Sequence, residues 1–187
     1  MRRGLRVGLP LGLLLALGLH IAPPGALAAS APAVLAVGDT LPPLQGRNLA
    51  GHGVTFPEAT RGSVTLLALG FTYGSRHAVD AWVDSFRVDV AGRTRTHAFR
   101  VPMLGGLGRV ARGFIDGGMR RGTPRREHPF VVTVTDDVGT WKKRLADPGG
   151  DVAHVLLLDR RGRVAFRLTG EFSPAGRESL AALALRL

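Results

Sequence analysis

Cysteine is absent from all 187 residues. That absence excludes disulfides, thiol catalysis, zinc–thiolate sites and iron–sulfur clusters together, because each needs a thiolate. Lysine is nearly absent as well: of the 25 basic residues only Lys142 and Lys143 are lysine, the other 23 being arginine. There is one tyrosine, Tyr73. Acidic residues are scarce, 14 against 25 basic, for a formal charge of +11. What remains is ordinary for a packed domain. Hydrophobic residues make up 45% and charged residues 21% of the chain, and the length is enough to bury a core without disulfides or a metal. The arginines are spread along the chain, alongside abundant Gly, Ala, Leu and Val. That spread has the look of a GC-rich coding bias more than of a single anion site.

The first 28 residues read as an export signal. Arg2, Arg3 and Arg6 precede an uncharged apolar stretch over residues 7–22, Pro23, Pro24 and Gly25 break it, and Ala26-Leu27-Ala28 supplies the small-x-small pattern of a cleavage site. At about 16 residues the apolar run is shorter than the ~20 that span a bilayer comfortably. An uncleaved signal anchor is the alternative. Cleavage after Ala28 removes three arginines and lowers the formal charge to +8. The expected location is the periplasm or the outer face of an inner membrane. That location makes nucleic acid an unexpected partner, and favours a protein partner or an anionic lipid surface.

Residues 29–43, rich in Ala, Pro and Gly, read as a linker, with the folded domain over residues 44–187. Residues 64–71 form a continuous apolar run of strand length, the pattern of a central strand covered on both faces. Ser75 is a candidate N-cap for a helix whose Ala78, Val79, Trp82, Val83 and Phe86 fall on one face. Residues 95–102 predict a second strand, and residues 107–115 a helix weakened by glycines. Residues 130–134 predict a short strand, and 138–145 a short helix. Residues 155–168 predict a hairpin turning at Arg160-Arg161-Gly162. Ser173-Pro174 opens a last helix, with the cap and the proline in their favoured positions.

This order resembles the thioredoxin-like superfamily, an α/β sandwich with a central mixed sheet flanked by helices. The buried strand running into Gly70-Phe71-Thr72-Tyr73-Gly74-Ser75-Arg76-His77 is similar to that superfamily's active-site turn, and Leu156-Leu157-Leu158-Asp159-Arg160-Arg161-Gly162-Arg163-Val164 to its closing hairpin. The resemblance puts the two cysteine positions at Gly74 and His77, or at Gly74 and Ala78 in the register of the copper-delivery branch, and no thiol stands in either. Ala153 occupies the place of the superfamily's cis-proline, where a trans peptide is expected because a non-proline cis bond costs about 3–4 kcal/mol. Thiol–disulfide exchange, thiol peroxidase chemistry and thiolate copper binding are excluded.

A cysteine-poor branch, the mitochondrial ATP synthase assembly factor family, is similar in layout. Its counterparts here are Trp82 on the first helix, Arg120-Arg121-Gly122-Thr123-Pro124-Arg125-Arg126 as a basic segment, and Leu157-Leu158-Asp159 with Gly162. That resemblance implies a chaperone-like helper for a membrane complex, without catalysis or cofactor. The residues singled out for function are accordingly the degenerate turn, Tyr73, Gly74, Ser75, Arg76 and His77, and the cluster Arg120, Arg121, Arg125 and Arg126 as a partner-binding or lipid-facing surface. A second reading makes the protein a histidine-dependent metal carrier or an enzyme using His77. Against it, no two histidines are spaced i, i+3 or i, i+4, and no His-x-His or Met-x-x-Met pair occurs. No metal site is therefore expected.

Overall fold

The computed structural model describes residues 33–106 and 109–187. The export-signal reading of residues 1–28 and the first part of the linker lie outside the described residues. None of the described helices is long and apolar enough to cross a membrane.

Strand β3 (Val64–Gly70) is buried at all seven positions, as its unbroken apolar run requires. Its side chains alternate between two cores. Leu67 and Leu69 point into one, with Leu156 and Leu158 of β6 (Ala153–Leu158). Leu66 and Ala68 point into the other, with Val155 and Leu157. The central sheet runs β4-β3-β6-β7, where β4 is Thr96–Pro102 and β7 is Val164–Gly170. β3 pairs parallel with β4 and antiparallel with β6, and β6 pairs antiparallel with β7. A parallel pair needs a crossover, supplied by α1 (Arg76–Asp89). The apolar face read from the sequence is the one buried: Ala78, Val79, Trp82, Val83 and Phe86. Trp82, wholly buried, meets Phe172 edge-on and packs beneath α4 (Pro174–Ala184). As the sequence suggested, Ser173 caps α4, its hydroxyl accepting the Gly176 amide at 3.2 Å.

The opposite face is covered by the expected short strand and short helix together with two strands the sequence did not announce, β1 (Leu44–Asn48) and β2 (Gly53–Phe56). These two and β5 (Val132–Thr133) form a three-stranded antiparallel sheet ordered β2-β1-β5. Parallel bridges Arg100–Val131 and Met103–Val134 join it to β4. With α3 (Val138–Arg144) it encloses Leu44, Phe56, Phe99, Trp141 and Leu145. The expected strand at 130–134 is thus only two residues long, with single bridges on either side. Helix α2 (Arg109–Gly122) extends seven residues past the stretch that the sequence assigned to it, despite its glycines.

Residues 33–43 differ from a free linker. Leu35 and Leu41 are buried among the core residues. The Leu35 amide donates to the Arg144 carbonyl at 2.8 Å and the Leu41 amide to the Gly162 carbonyl at 3.0 Å. Two leucines spaced six apart in an Ala/Pro/Gly stretch carry no periodicity, so composition alone reads as tether. The described part of that segment belongs to the domain.

Candidate functional site

β3, β4 and the turn after β3 end at the same edge of the sheet. There the chain makes a tight knot. Ser75, almost wholly buried, donates its hydroxyl to the Thr72 carbonyl at 2.8 Å, and its amide donates to Thr72 Oγ1 at 3.1 Å. Ser75 therefore stands at the N-cap position of α1 without capping it by its side chain: the hydroxyl is spent inside the turn. Gly70 is required for this, since a Cβ there would lie 2.3 Å from Ser75 Oγ.

Gly74, where the resemblance puts the first cysteine, faces a carboxylate. A Cβ on Gly74 would stand 2.2 Å from one Asp151 oxygen and 2.3 Å from its Cγ. The carboxylate is held there by Thr72 Oγ1, which donates at 2.6 Å. Asp151 comes from the loop before β6, which Ala146, Gly149 and Gly150 carry through positive φ (47°, 80° and 81°). Among the described residues the only cis peptide is Phe56–Pro57, so the bond preceding Ala153 is trans, as expected. Sequence reasoning missed Asp151. The signal available was a Gly-Gly-Asp run immediately before the strand that abuts the turn.

Arg76 lies over the Tyr73 ring, 4.0 Å from its centroid, and donates to His77 Nε2 at 3.4 Å. Tyr73 is 80% exposed, a large aromatic presented to solvent by a turn that is otherwise tied down. Behind the turn, Phe71 packs edge-on against His154. His154 is buried, with Nε2 3.0 Å from Asp147 and Nδ1 3.0 Å from Thr169 Oγ1. Burial pushes the imidazole below its ordinary range, against the opposing pull of Asp147. The ring is therefore neutral, donating from Nε2 to Asp147 and accepting from the Thr169 hydroxyl at Nδ1. Burial alone would raise the Asp147 carboxyl. The hydrogen bonds from His154 and the Gly149 amide, with Lys142 3.6 Å away, outweigh it and hold the group below its usual range. This pair fixes the loop that delivers Asp151.

Beside the turn opens a cleft of about 1370 Å³. Its apolar walls are Phe71 and Val79, Pro102 to Leu104 at the end of β4, Ile115 and Met119 on α2, and Val138 on α3. Tyr73, Ser75 and Arg76 line it; Gly74 and His77 do not. Lys142, whose ammonium sits 5.3 Å from the Phe71 centroid, adds positive charge at its edge, whereas Arg100 lines it together with its own partner Asp80. Arg100 is clamped by Asp80 at 2.6 Å, Asp84 at 2.5 Å and Glu127 at 3.4 Å, and Arg87 also pairs with Glu127. Although burial opposes it, Arg87 and Arg100 hold the Glu127 carboxyl below its ordinary range.

The arginine cluster stands outside the cleft, though Gly122 and Thr123 within the same segment line it. Its members are not equivalent. Arg120 Nε donates to the Leu49 carbonyl at 2.8 Å, tying the end of α2 to the β1–β2 turn. Arg126 is 3.9 Å from Glu127 with its side chain 84% exposed. Arg121 and Arg125 are exposed. The histidines are dispersed, and among the described residues no three His, Asp or Glu side chains gather as a metal site would need.

No known family profile matches the chain, and no curated protein matches it. Solved structures do. The thioredoxin domain of a thiol-disulfide oxidoreductase from Bacteroides vulgatus superposes with a TM-score of 0.55 at 15% identity, over 80% of this chain and 99% of that one. The fold is thioredoxin-like. A candidate DsbE thiol:disulfide interchange protein from Chlorobium tepidum gives 0.55 at 20% identity, over 81% and 97% of the two chains. The exposed lipoprotein thioredoxin Etrx1 of Streptococcus pneumoniae gives 0.54 at 10% identity, over 78% and 100%. Such identities carry the fold and nothing of the chemistry. A thioredoxin-like chain without cysteine has no thiol to place on its turn.

Proposed function

We propose that this chain is an exported, redox-inactive thioredoxin-like protein that binds a protein partner in the cleft beside its degenerate turn and assists that partner's assembly at the membrane or in the envelope. The observation that carries the reading is the pairing of Asp151 with Gly74. The space a side chain on Gly74 would occupy holds a carboxylate, while the cleft next to it stays open and largely apolar. Binding without thiol chemistry is what such a site can still do. Apolar walls flanked by Arg76, Lys142 and the 120–126 arginines suit a partner segment with apolar anchors and acidic flanks. The charged start and apolar run of residues 1–28 support the exported location.

A photo-crosslinking residue placed at Tyr73 in the full chain tests this in the native envelope. A discrete cross-linked species is expected, lost when Met119→Glu puts a charge in the cleft and retained when Arg186, at the far end of the domain, is changed to Gln. Cross-linking that ignores Met119→Glu would sink the cleft as the binding site.

A further inference from the structure

The edge of the sheet opposite the turn gathers arginines from four separate stretches of sequence. The strand register sets that edge: Val64 pairs with Thr96, Thr65 with Leu158, and Leu158 with Val164. The loops entering β3 and β4, and the turn between β6 and β7, must therefore lie together. They bring Arg61, then Arg93 and Arg95, then Arg160, Arg161 and Arg163. The β3 entry and the hairpin turn touch directly, the Gly62 amide donating to the Arg160 carbonyl at 2.8 Å, and the Val64 amide donates to the Arg95 carbonyl at 2.9 Å. The end of α4 arrives there too. Arg93 donates to the Leu185 carbonyl at 2.9 Å, placing Arg186 alongside. All seven side chains are exposed.

The carboxylates nearby are already engaged. Asp159 accepts the amides of Arg161 and Arg163 at 2.8 and 2.9 Å. Asp39 accepts the Ala36 amide at 2.8 Å. Glu58 is 3.9 Å from Arg61, and Asp89 pairs with Arg177 at 2.6 Å. The surface is strongly positive.

Residues 38–41 meet this same surface. Thr40 bridges Arg163, and the Gly38 amide donates to the Val164 carbonyl at 2.8 Å. Leu35, three residues earlier, is within about 10 Å of that contact along the chain. Val37, beside it, is 62% exposed. From Gly38 back to Leu35 the chain follows β7 away from this arginine pole, and the Leu35 carbonyl accepts from Arg167.

We propose that the arginine pole is a docking surface for an anionic phospholipid membrane, independent of the cleft and of whatever binds there. Exposed arginines near an acidic leaflet gain from its surface potential, and the gain fades with salt.

The test is vesicle co-sedimentation of the full chain. Three forms are compared: the unaltered protein, a pole variant (Arg61, Arg160, Arg161 and Arg163→Gln) and a control of equal charge loss away from the pole (Arg76, Arg121, Arg125 and Arg126→Gln). Neutral phosphatidylcholine vesicles measure what the apolar run contributes alone. On vesicles containing phosphatidylglycerol, the unaltered protein should bind more tightly, and raising salt from about 50 to 300 mM should erase the difference. The pole variant should lose at least about tenfold of the anionic-lipid affinity, and the control less than about twofold, with melting temperatures confirming that both are folded. Equal loss in both variants would reduce the effect to net charge and overturn the proposal. So would equal binding to neutral and anionic vesicles, or a pole variant that keeps lipid binding while losing affinity for an oligonucleotide. The cross-linking at Tyr73 is untouched by any of these outcomes.

Discussion

Asp151 and Gly74 are complementary: the carboxylate of one stands 2.2 Å from where the Cβ of the other would be. A glycine at this position is therefore a consequence of the loop before β6, and the loop in turn is held by Thr72 and by the buried His154–Asp147 pair.

Gly74→Ala should push the carboxylate off Thr72 and cost about 1 kcal/mol, the net worth of one hydrogen bond. In an Asp151→Ala background the same change should cost markedly less, a coupling that a double-mutant cycle on urea midpoints reads directly. Equal costs in both backgrounds would mean that the two residues do not share this space. Gly70→Ala is the contrasting case. Its Cβ would meet the buried Ser75 hydroxyl at 2.3 Å, and a loss of about 1–3 kcal/mol is expected.

Stability should fall on mild acidification because of His154. Its folded-state affinity for protons lies below the ordinary histidine value of 6.5, so the unfolded chain binds the proton more readily. The contribution is present above about pH 6.5 and declines as pH drops below it. Asp147, Asp89 and Glu127, all held below their ordinary values near 4, add a second loss at lower pH by the same sign. Urea midpoints at pH 7.5 and 5.5 should differ in the unaltered protein, and differ less in His154→Leu. An unchanged difference in that variant would assign the acid sensitivity elsewhere.

Glu127→Gln should loosen the 3-10 segment Arg125–Phe130 from α1, because Glu127 is the shared partner of Arg87 and Arg100. A half-buried charge-assisted network of this kind is worth about 1–2 kcal/mol. Hydrogen exchange of the amides of residues 125–130 should accelerate while those of β3 are unaffected.

The four cluster arginines should separate on substitution. Arg121→Gln, Arg125→Gln and Arg126→Gln are surface changes and should shift stability by less than about 0.5 kcal/mol each. Arg120→Gln breaks the bond to the Leu49 carbonyl and should cost about 0.5–1.5 kcal/mol. A thermal melt of the four single variants checks it, and four equal melts would deny Arg120 its tie to Leu49. Arg120 is exposed like the other three and differs from them in its tie to Leu49.

What the sequence made legible is what lies in one element at a time. The apolar run of β3 announced burial on both faces, and the spacing from Ala78 to Phe86 announced the buried side of α1, because each signal is local and periodic. β1 and β2 were invisible for the converse reason. Gln45, Gly46 and Arg47, or Gly53, Val54 and Thr55, show no clean alternation, and these strands are fixed by each other and by β5. The position of the turn between β3 and α1 was legible, since a strand running into a helix marks it. Asp151, 77 positions after Gly74, could be brought to it only by the fold. The arginine pole is the same kind of object, since none of its four stretches exceeds three arginines.

The length of β3 has a spatial consequence. Its seven residues run from the arginine pole at Val64 to the turn at Gly70, a rise of about 20 Å. With lipid at one end, the mouth of the cleft stands roughly that far above the headgroups. Under the proposed lipid contact, the cleft would meet segments standing clear of the bilayer and not membrane-embedded helices.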